Sequence, residues 1–261
     1  MATKQKNKQL RRLAFGLLIV LLAALFALFW LEGQQKPLSN PYGPEDFAIT
    51  DGFLTCLSGE SLPGIDVSHH QGRVRWQEVV TSGIRFAMVR VGYRSVYTGM
   101  IGSDKYATEN LTGATDAGLK VGVYFYSQAI SVEEAQEEAD FVLTLLNGRP
   151  LDMPVVFDWE IYGEEGRTSG VDGETLNACA IAFCEKIKAA GYTPMVYFNR
   201  DIADRLLDLS DLQKRGYGLW LAMYKTEMDF PHRVDMWQYT ETGSVSGIDG
   251  PVDLNIYLLY D

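Results

Sequence analysis

The chain is poor in the residues that build covalent or metal frameworks. Its 261 residues include only three cysteines, Cys56, Cys179 and Cys184, and only three histidines. Cys179 and Cys184 lie five apart in a helical pattern and point to different faces, so no disulfide framework is expected and all three are read as free thiols. Neither CxxC nor HExxH occurs, and the adjacent His69 and His70 would diverge on a strand, so no metal site and no cofactor is expected. The Gly-rich phosphate turn GxGxxG is missing too, which removes the main signature of a dinucleotide-binding sheet. Positive charge is scarce, with 23 Lys and Arg against 34 Asp and Glu, and it is unevenly placed. Lys4, Lys6, Lys8, Arg11 and Arg12 precede residue 32, which leaves 18 basic against 33 acidic residues for the rest. So acidic a body repels nucleic acid and anionic lipid, and a neutral or amphoteric polymer is the better partner.

What the chain does have is a strong apolar run. From Leu13 to Leu31 every residue is apolar or glycine, nineteen positions that span roughly 28 Å as a helix, about the hydrocarbon thickness of a bilayer. With a basic tail at 1–12 before it, the run reads as an uncleaved anchor in the cytoplasmic membrane, N-terminus inside and bulk outside. A cleaved signal peptide followed by secretion is the competing reading, against which stand the length of the run and the lack of an Ala-x-Ala site. Residues 32–63 are polar and rich in Gly, Pro and Ser, suited to a stalk or an irregular cap.

Beyond Pro63 apolar β-branched runs alternate with amphipathic ones. Strands are expected at 64–68, 84–93, 120–126, 154–158, 193–198, 219–224, 234–239 and 253–258, with helices near 75–82, 104–117, 132–146 and 173–190, and only short helix beyond Arg200. Alternation at this spacing means an α/β fold of parallel βα units. Eight strands in about 200 residues close most economically into a barrel over 64–261, which leaves no edge; a doubly wound open sheet is the runner-up.

Barrels of this kind carry their functional groups at the C-terminal ends of strands. Those positions are Asp66, Arg90, Tyr126, Asp158 with Glu160, Asn199, Tyr224 and Gln238, joined by Asp253 at the start of the last strand. The run Met153 to Glu160 ends in two carboxylates on one strand face, roughly 6 to 7 Å apart at their backbones, so Asp158 and Glu160 point into the barrel mouth and Trp159 into the packing. Two like charges at a buried strand end raise each other's pKa, although a solvated acidic loop has the same sequence. Asp66 in an apolar strand wants a partner, and Arg90 at the next strand end is the candidate. Asp253, in a Gly-Pro context, reads by itself as a strand cap before it reads as a site residue. Tyr126, Tyr197, Trp220, Tyr224 and Tyr239 are either sugar-stacking rings or core, and His69 and His70 are read as loop contacts.

Four segments in this order, GIDVSHHQG (64–72), PVVFDWE (154–160), LWLAMY (219–224) and WQYTETGSVSGIDGPVDLN (237–255), resemble the family 25 glycoside hydrolases. Those are bacterial and phage lysozymes that cut the β-1,4 bond between N-acetylmuramic acid and N-acetylglucosamine in peptidoglycan, and the likeness covers residues 64–261. The resemblance implies an irregular (β/α)5(β)3 barrel, with Glu160 as general acid, Asp158 as its neighbouring carboxylate, and Asp66 and Asp253 as the other acids of the groove. It further implies catalysis assisted by the substrate's own 2-acetamido group, with Asp158 orienting that group's N–H; an inverting route stays open. Tyr126, Tyr197, Asn199, Trp220, Tyr224, Gln238, Tyr239 and Arg90 are then the glycan contacts, and peptidoglycan strands the partner. The alternative is a silent barrel that binds glycan without cutting it. Under the catalytic reading Glu160 holds the proton and Asp158 stays charged.

Overall fold

The computed structural model describes residues 15–18, 20–23 and 36–260. It comprises two units, Met1–Pro37 and Leu38–Asp261. In the first, residues 15–18 and 20–23 are helical. Most of the apolar run 13–31 and all of the basic tail lie outside the described residues, among which no helix is long and apolar enough to cross a membrane.

The second unit opens with a hairpin of β1 (Phe47–Thr50) and β2 (Phe53–Cys56), then builds the barrel strands β3 (Glu60–Val67), β4 (Phe86–Arg94), β6 (Lys120–Ser127), β7 (Val155–Trp159), β8 (Pro194–Asn199), β9 (Gly218–Ala222), β10 (Met236–Gly243) and β11 (Val252–Leu259). A short β5 (Ile101–Ser103) hangs antiparallel on the end of β4. Helices α1 (Trp76–Thr81), α2 (Ala107–Asp116), α3 (Val132–Leu146), α4 (Gly173–Ala189), α5 (Arg200–Arg205) and α6 (Leu209–Lys214) fill the connections. The order β3-β11-β10-β9-β8-β7-β6-β4 closes through β3–β4 pairing, so eight strands form a ring, as the spacing of apolar runs predicts. All neighbours are parallel except β11, which runs antiparallel to both β10 and β3. That reversal brings the start of β11, and with it Asp253, to the end of the barrel where the other strands finish.

Two apolar layers follow from the period of two along each strand. Val155, Phe157 and Trp159 face outward into a core shared with the helices, where Phe157 meets Phe183 of α4 at 5.2 Å between ring centroids. The interior holds Phe86, Met88, Tyr124, Val156, Met195, Trp220 and Met236. Large residues there leave room only because facing positions are bare: a Cβ on Gly64 would enter the Phe86 ring, and one on Gly122 would come within 2.6 Å of the Pro154 carbonyl. The helices are fixed by local chemistry. Ser131 Oγ accepts from Glu134 N at the start of α3, and Asn147 ends that helix in the left-handed region at φ 46°.

Within 32–63, expected as a stalk or an irregular cap, the residues from Leu38 on pack on the barrel as a cap would. From Leu38 the chain belongs to the barrel unit: Arg233 N donates to the Leu38 carbonyl at 2.7 Å, and the hairpin buries Phe47, Phe53, Leu54 and Cys56. Phe47 stands edge-on to Trp237 at 5.4 Å. The signal overlooked amid the Gly, Pro and Ser was Asp51-Gly52, whose φ values of 52° and 88° are those of a two-residue hairpin turn.

Candidate active site

Strand register decides which side chains meet. Tyr126 of β6 lies beside Asp158 of β7, Asp158 beside Tyr197 of β8, and Tyr197 beside Trp220 of β9. Across the seam where β11 is reversed, Asp66 pairs directly with Asp253. These residues therefore form one layer at one end of the barrel, and they line a cavity of about 290 Å³ together with Glu160, Tyr224, Gln238, Arg90, Tyr124, His70 and Glu241.

At its floor, hydrogen bonds converge on Asp66. Gln238 Nε2 and Asn255 Nδ2 each donate to Asp66 Oδ2 at 2.8 Å. Gln238 Oε1 in turn accepts from the hydroxyls of Tyr197 (3.0 Å) and Tyr224 (3.2 Å), while Trp220 Nε1 donates to Asn255 Oδ1 at 2.9 Å. Every donor in this chain points towards Asp66, an arrangement that favours its ionised form, whereas burial opposes ionisation and is the larger effect, leaving its pKa raised. Asp253 sits next to that charge; burial first and repulsion from Asp66 second push it up to about 8. Asp253 is thus the member of the pair whose protonated form burial and the Asp66 charge favour.

The pair on β7 is held differently. Asp158 is buried at 5% exposure, and its Oδ1 has no hydrogen-bond partner among the described residues. Burial, then the charges of Glu160 and Asp66, drive its pKa well above the carboxylate range, with Arg90 working the other way. Glu160 is raised to about 7 by burial and by Asp66, again opposed by Arg90. Both carboxyls are thus held above their ordinary range, with Asp158 the deeper of the two. The backbone carrying Glu160 is tied down: its carbonyl accepts from Gln128 Nε2 at 2.8 Å and from Thr168 Oγ1 at 2.9 Å, both side chains wholly buried. Trp159 packs as expected, with Nε1 donating to the Ala129 carbonyl at 2.9 Å.

Three sequence-based placements change. Arg90 does not pair with Asp66; its Nε donates to Asp104 Oδ2 at 2.9 Å, and the guanidinium also meets His69 Nδ1. It acts on Asp66, Asp158 and Glu160 only at longer range. Asn199 is exposed and caps α5, accepting from Ile202 N at 3.0 Å, because β8 ends there. Tyr239 follows Gln238 and so faces out of the barrel, where its hydroxyl accepts from Leu54 N at 3.3 Å. Sequence reading also passed over Asn255, Tyr124, Asp104 and Glu241. Alternation from Asp253 identifies Asn255, and alternation from Tyr126 identifies Tyr124; no local signal marks Asp104, whose role depends on where the loop after β5 lands.

A bulge in β4 shapes the rim. Arg90 pairs with Tyr124 but Gly92 with Phe125, so Val91 is an extra residue and the parity of the strand flips. Arg90 and Tyr93 consequently face the same way, and Arg94 turns outward into α3, where Nε donates to buried Glu138 at 2.7 Å.

The sequence profile of glycosyl hydrolases family 25 matches residues 65–248. An autolytic lysozyme of Clostridium acetobutylicum is 27% identical over 202 residues, covering 74% of this chain and 55% of that protein. Lysozyme M1 of Streptomyces globisporus is 25% identical over 203 residues, covering 74% of this chain and 67% of its own. Among solved structures, the modular autolysin LytC from Streptococcus pneumoniae, in complex with a synthetic peptidoglycan ligand, superposes with a TM-score of 0.68 at 24% identity over 81% of this chain and 52% of that one. A family 25 glycosyl hydrolase from Bacillus anthracis superposes at 0.60, with 20% identity over 84% and 94%. The chain spans about half the length of the first of these lysozymes and of LytC, and the structural likenesses bear on the fold. With the profile matched from the first barrel strand to the turn before the last, the chain belongs to glycosyl hydrolase family 25.

Proposed function

We propose that this chain hydrolyses the β-1,4 bond between N-acetylmuramic acid and N-acetylglucosamine in peptidoglycan. The observation that carries the reading is Asp158 Oδ1, buried and without a partner among the described residues, beside a Glu160 whose pKa is raised to about 7. A buried carboxylate oxygen without a donor is costly when charged, and the N–H of a sugar's 2-acetamido group is the donor that fits. Accepting that N–H stabilises ionised Asp158 and aims the acetamido oxygen at the anomeric carbon, while Glu160, still protonated near neutrality, gives its proton to the leaving oxygen. The positive oxazolinium ring that forms is balanced by Asp158, and water then opens it with Glu160 acting as base. Tyr126, Tyr197 and Tyr224 border the same cavity and suit sugar faces and hydroxyls.

Residues 13–31 are proposed as the membrane anchor, with the barrel unit outside the cell; the five basic residues before the run support this orientation. Membrane fractionation tests it, since a cleaved leader would release the protein to the medium. The activity is tested by digesting peptidoglycan with the full chain and analysing new reducing ends by mass spectrometry. Muramic acid ends that vanish in Glu160→Gln are expected; glucosamine ends, or no cleavage by the wild type, overturn the reading.

A further inference from the structure

A second cavity, about 320 Å³, opens against the first, and the two share Arg90 and Tyr126 as walls. Their charge is opposite. Asp66, Asp158, Glu160, Glu241 and Asp253 line the first; the second has Arg90, Arg94 and Lys105, with His69, and no carboxylate on its wall. Arg90 and Arg94 are already answered, by Asp104 and by Glu138 with Glu137. Lys105 is not: it forms no ion pair among the described residues, and its ammonium stands 5.0 Å over the Tyr106 ring. In a chain of net charge −11, a hollow with no carboxylate among its lining residues and one uncompensated cation, Lys105, repels an anion less than the acidic cleft beside it. The β4 bulge is what makes it, by turning Tyr93 to the same side as Arg90, whose guanidinium lies 5.9 Å from the Tyr93 ring centroid.

We propose that this cavity is a subsite for a carboxylate on the peptide substituent of the glycan strand, engaged through Lys105 while the sugar lies over Asp158. The inference rests on the proposed peptidoglycan activity and adds a preference to it. Tyr126 stands beside Asp158 in register and also lines the second cavity, so a substituent on a sugar over Asp158 need cross only one strand to reach it. The acidic cleft itself repels such a group. The pairing of cleft and hollow therefore sorts substrates: peptide-bearing strands are held at two points, bare strands at one.

The test compares the full chain with its Lys105→Glu variant on two substrates, glycan strands bearing stem peptides and strands freed of them, both first stripped of phosphodiester polymers. The variant is expected to raise KM on peptide-bearing strands by about three- to tenfold, the range of one partly exposed charge pair reversed, with kcat unchanged and both constants unchanged on bare strands. An equal change on both substrates, or none on either, overturns the subsite. Should the wild type's preference for peptide-bearing strands vanish once phosphodiester polymers are removed, the anion is a phosphate and the carboxylate assignment is wrong. Binding of the same strands to Glu160→Gln, with and without Lys105→Glu, separates the two levels. A wild type that cuts neither substrate refutes the proposed activity, while a selective loss of binding to peptide-bearing strands still supports the subsite.

Discussion

Replacing Asp66 by Asn removes one negative charge while keeping shape, and the structure says where the consequence is read. Two oxygens at position 66 become one oxygen and one amide; the oxygen can still accept from Gln238 and Asn255, and the new amide faces Asp253. Glu160 loses the repulsion that, after burial, does most to hold it at about 7. Two unit charges several ångström apart interact by about 1 to 3 kcal/mol at an effective dielectric near 20, which corresponds to roughly 1 to 2 pKa units. The direction is fixed. Without the like charge Glu160 ionises more readily, so its pKa falls.

On the proposed mechanism Glu160 must hold its proton as general acid, so activity is lost as pH rises through that pKa, and in Asp66→Asn the loss begins at lower pH. The assay is kcat/KM against pH from about 4 to 9, which reports groups of the free enzyme. What counts is the position of the alkaline limb, not the height of the curve, because Asp66→Asn also lowers the maximum if Asp66 serves the reaction. A limb that stays in place, or moves to higher pH, refutes the electrostatic account of Glu160.

Other perturbations have equally definite outcomes. Asp158, Glu160 and Asp253 all have folded pKa values above those of the unfolded chain, so between about pH 4 and 8 the folded state binds more protons and stability falls as pH rises; Tm is expected to be lower at pH 8 than at pH 5, and Glu160→Gln to narrow that gap, whereas an unchanged gap would count against burial as the cause. Arg94→Met leaves Glu138 buried without its cation and is expected to cost about 3 to 5 kcal/mol in urea unfolding; the double variant with Glu138→Gln recovers part of it, and no recovery would mean the ion pair was not the reason. Thr168→Val removes one of two donors to the Glu160 carbonyl, with an expected loss of about 1 to 3 kcal/mol in stability and a fall in kcat with little change in KM; an unaltered kcat would show that Gln128 alone positions Glu160.

The barrel was legible because each strand is nearly continuous in apolar residues and each long helix is amphipathic, signals that survive without tertiary information. The faces were legible for the same reason: a period of two puts Asp158 and Glu160 inside and Trp159 outside whatever the strand is paired with. Tyr239 was misplaced by neglecting that same rule, since it cannot share a face with Gln238. The failures elsewhere have another origin. Arg90 was assigned to Asp66 on strand adjacency, yet its partner Asp104 arrives from the loop after β5, at a place that depends on the bulge at Val91. A bulge is one residue of excess in one strand relative to its neighbour, and a sequence read one strand at a time does not contain that comparison. The direction of β11 is a like case, since antiparallel pairing there is set by the short return from β10.

The order of ionisation within the β7 pair depends on something further: what occupies the cleft. The proposed mechanism requires Glu160 protonated and Asp158 charged, while burial raises both carboxyls and Asp158 Oδ1 has no donor among the described residues. The two conditions agree only if the ligand brings the donor. An amide N–H hydrogen-bonded to Asp158 lowers that pKa at the moment of binding, and the negative charge it fixes there raises that of Glu160. On the proposed mechanism substrate therefore sets the proton on Glu160, and a substrate without the N–H does not. Glycans whose 2-amino groups are de-acetylated should thus lose kcat rather than only affinity, and their kcat profile should keep the limb of the free enzyme. Intact substrate should instead move the kcat limb to higher pH than the kcat/KM limb. Coincident limbs on intact substrate would mean that Asp158 is already charged before binding, and that its buried oxygen is satisfied by something other than the sugar.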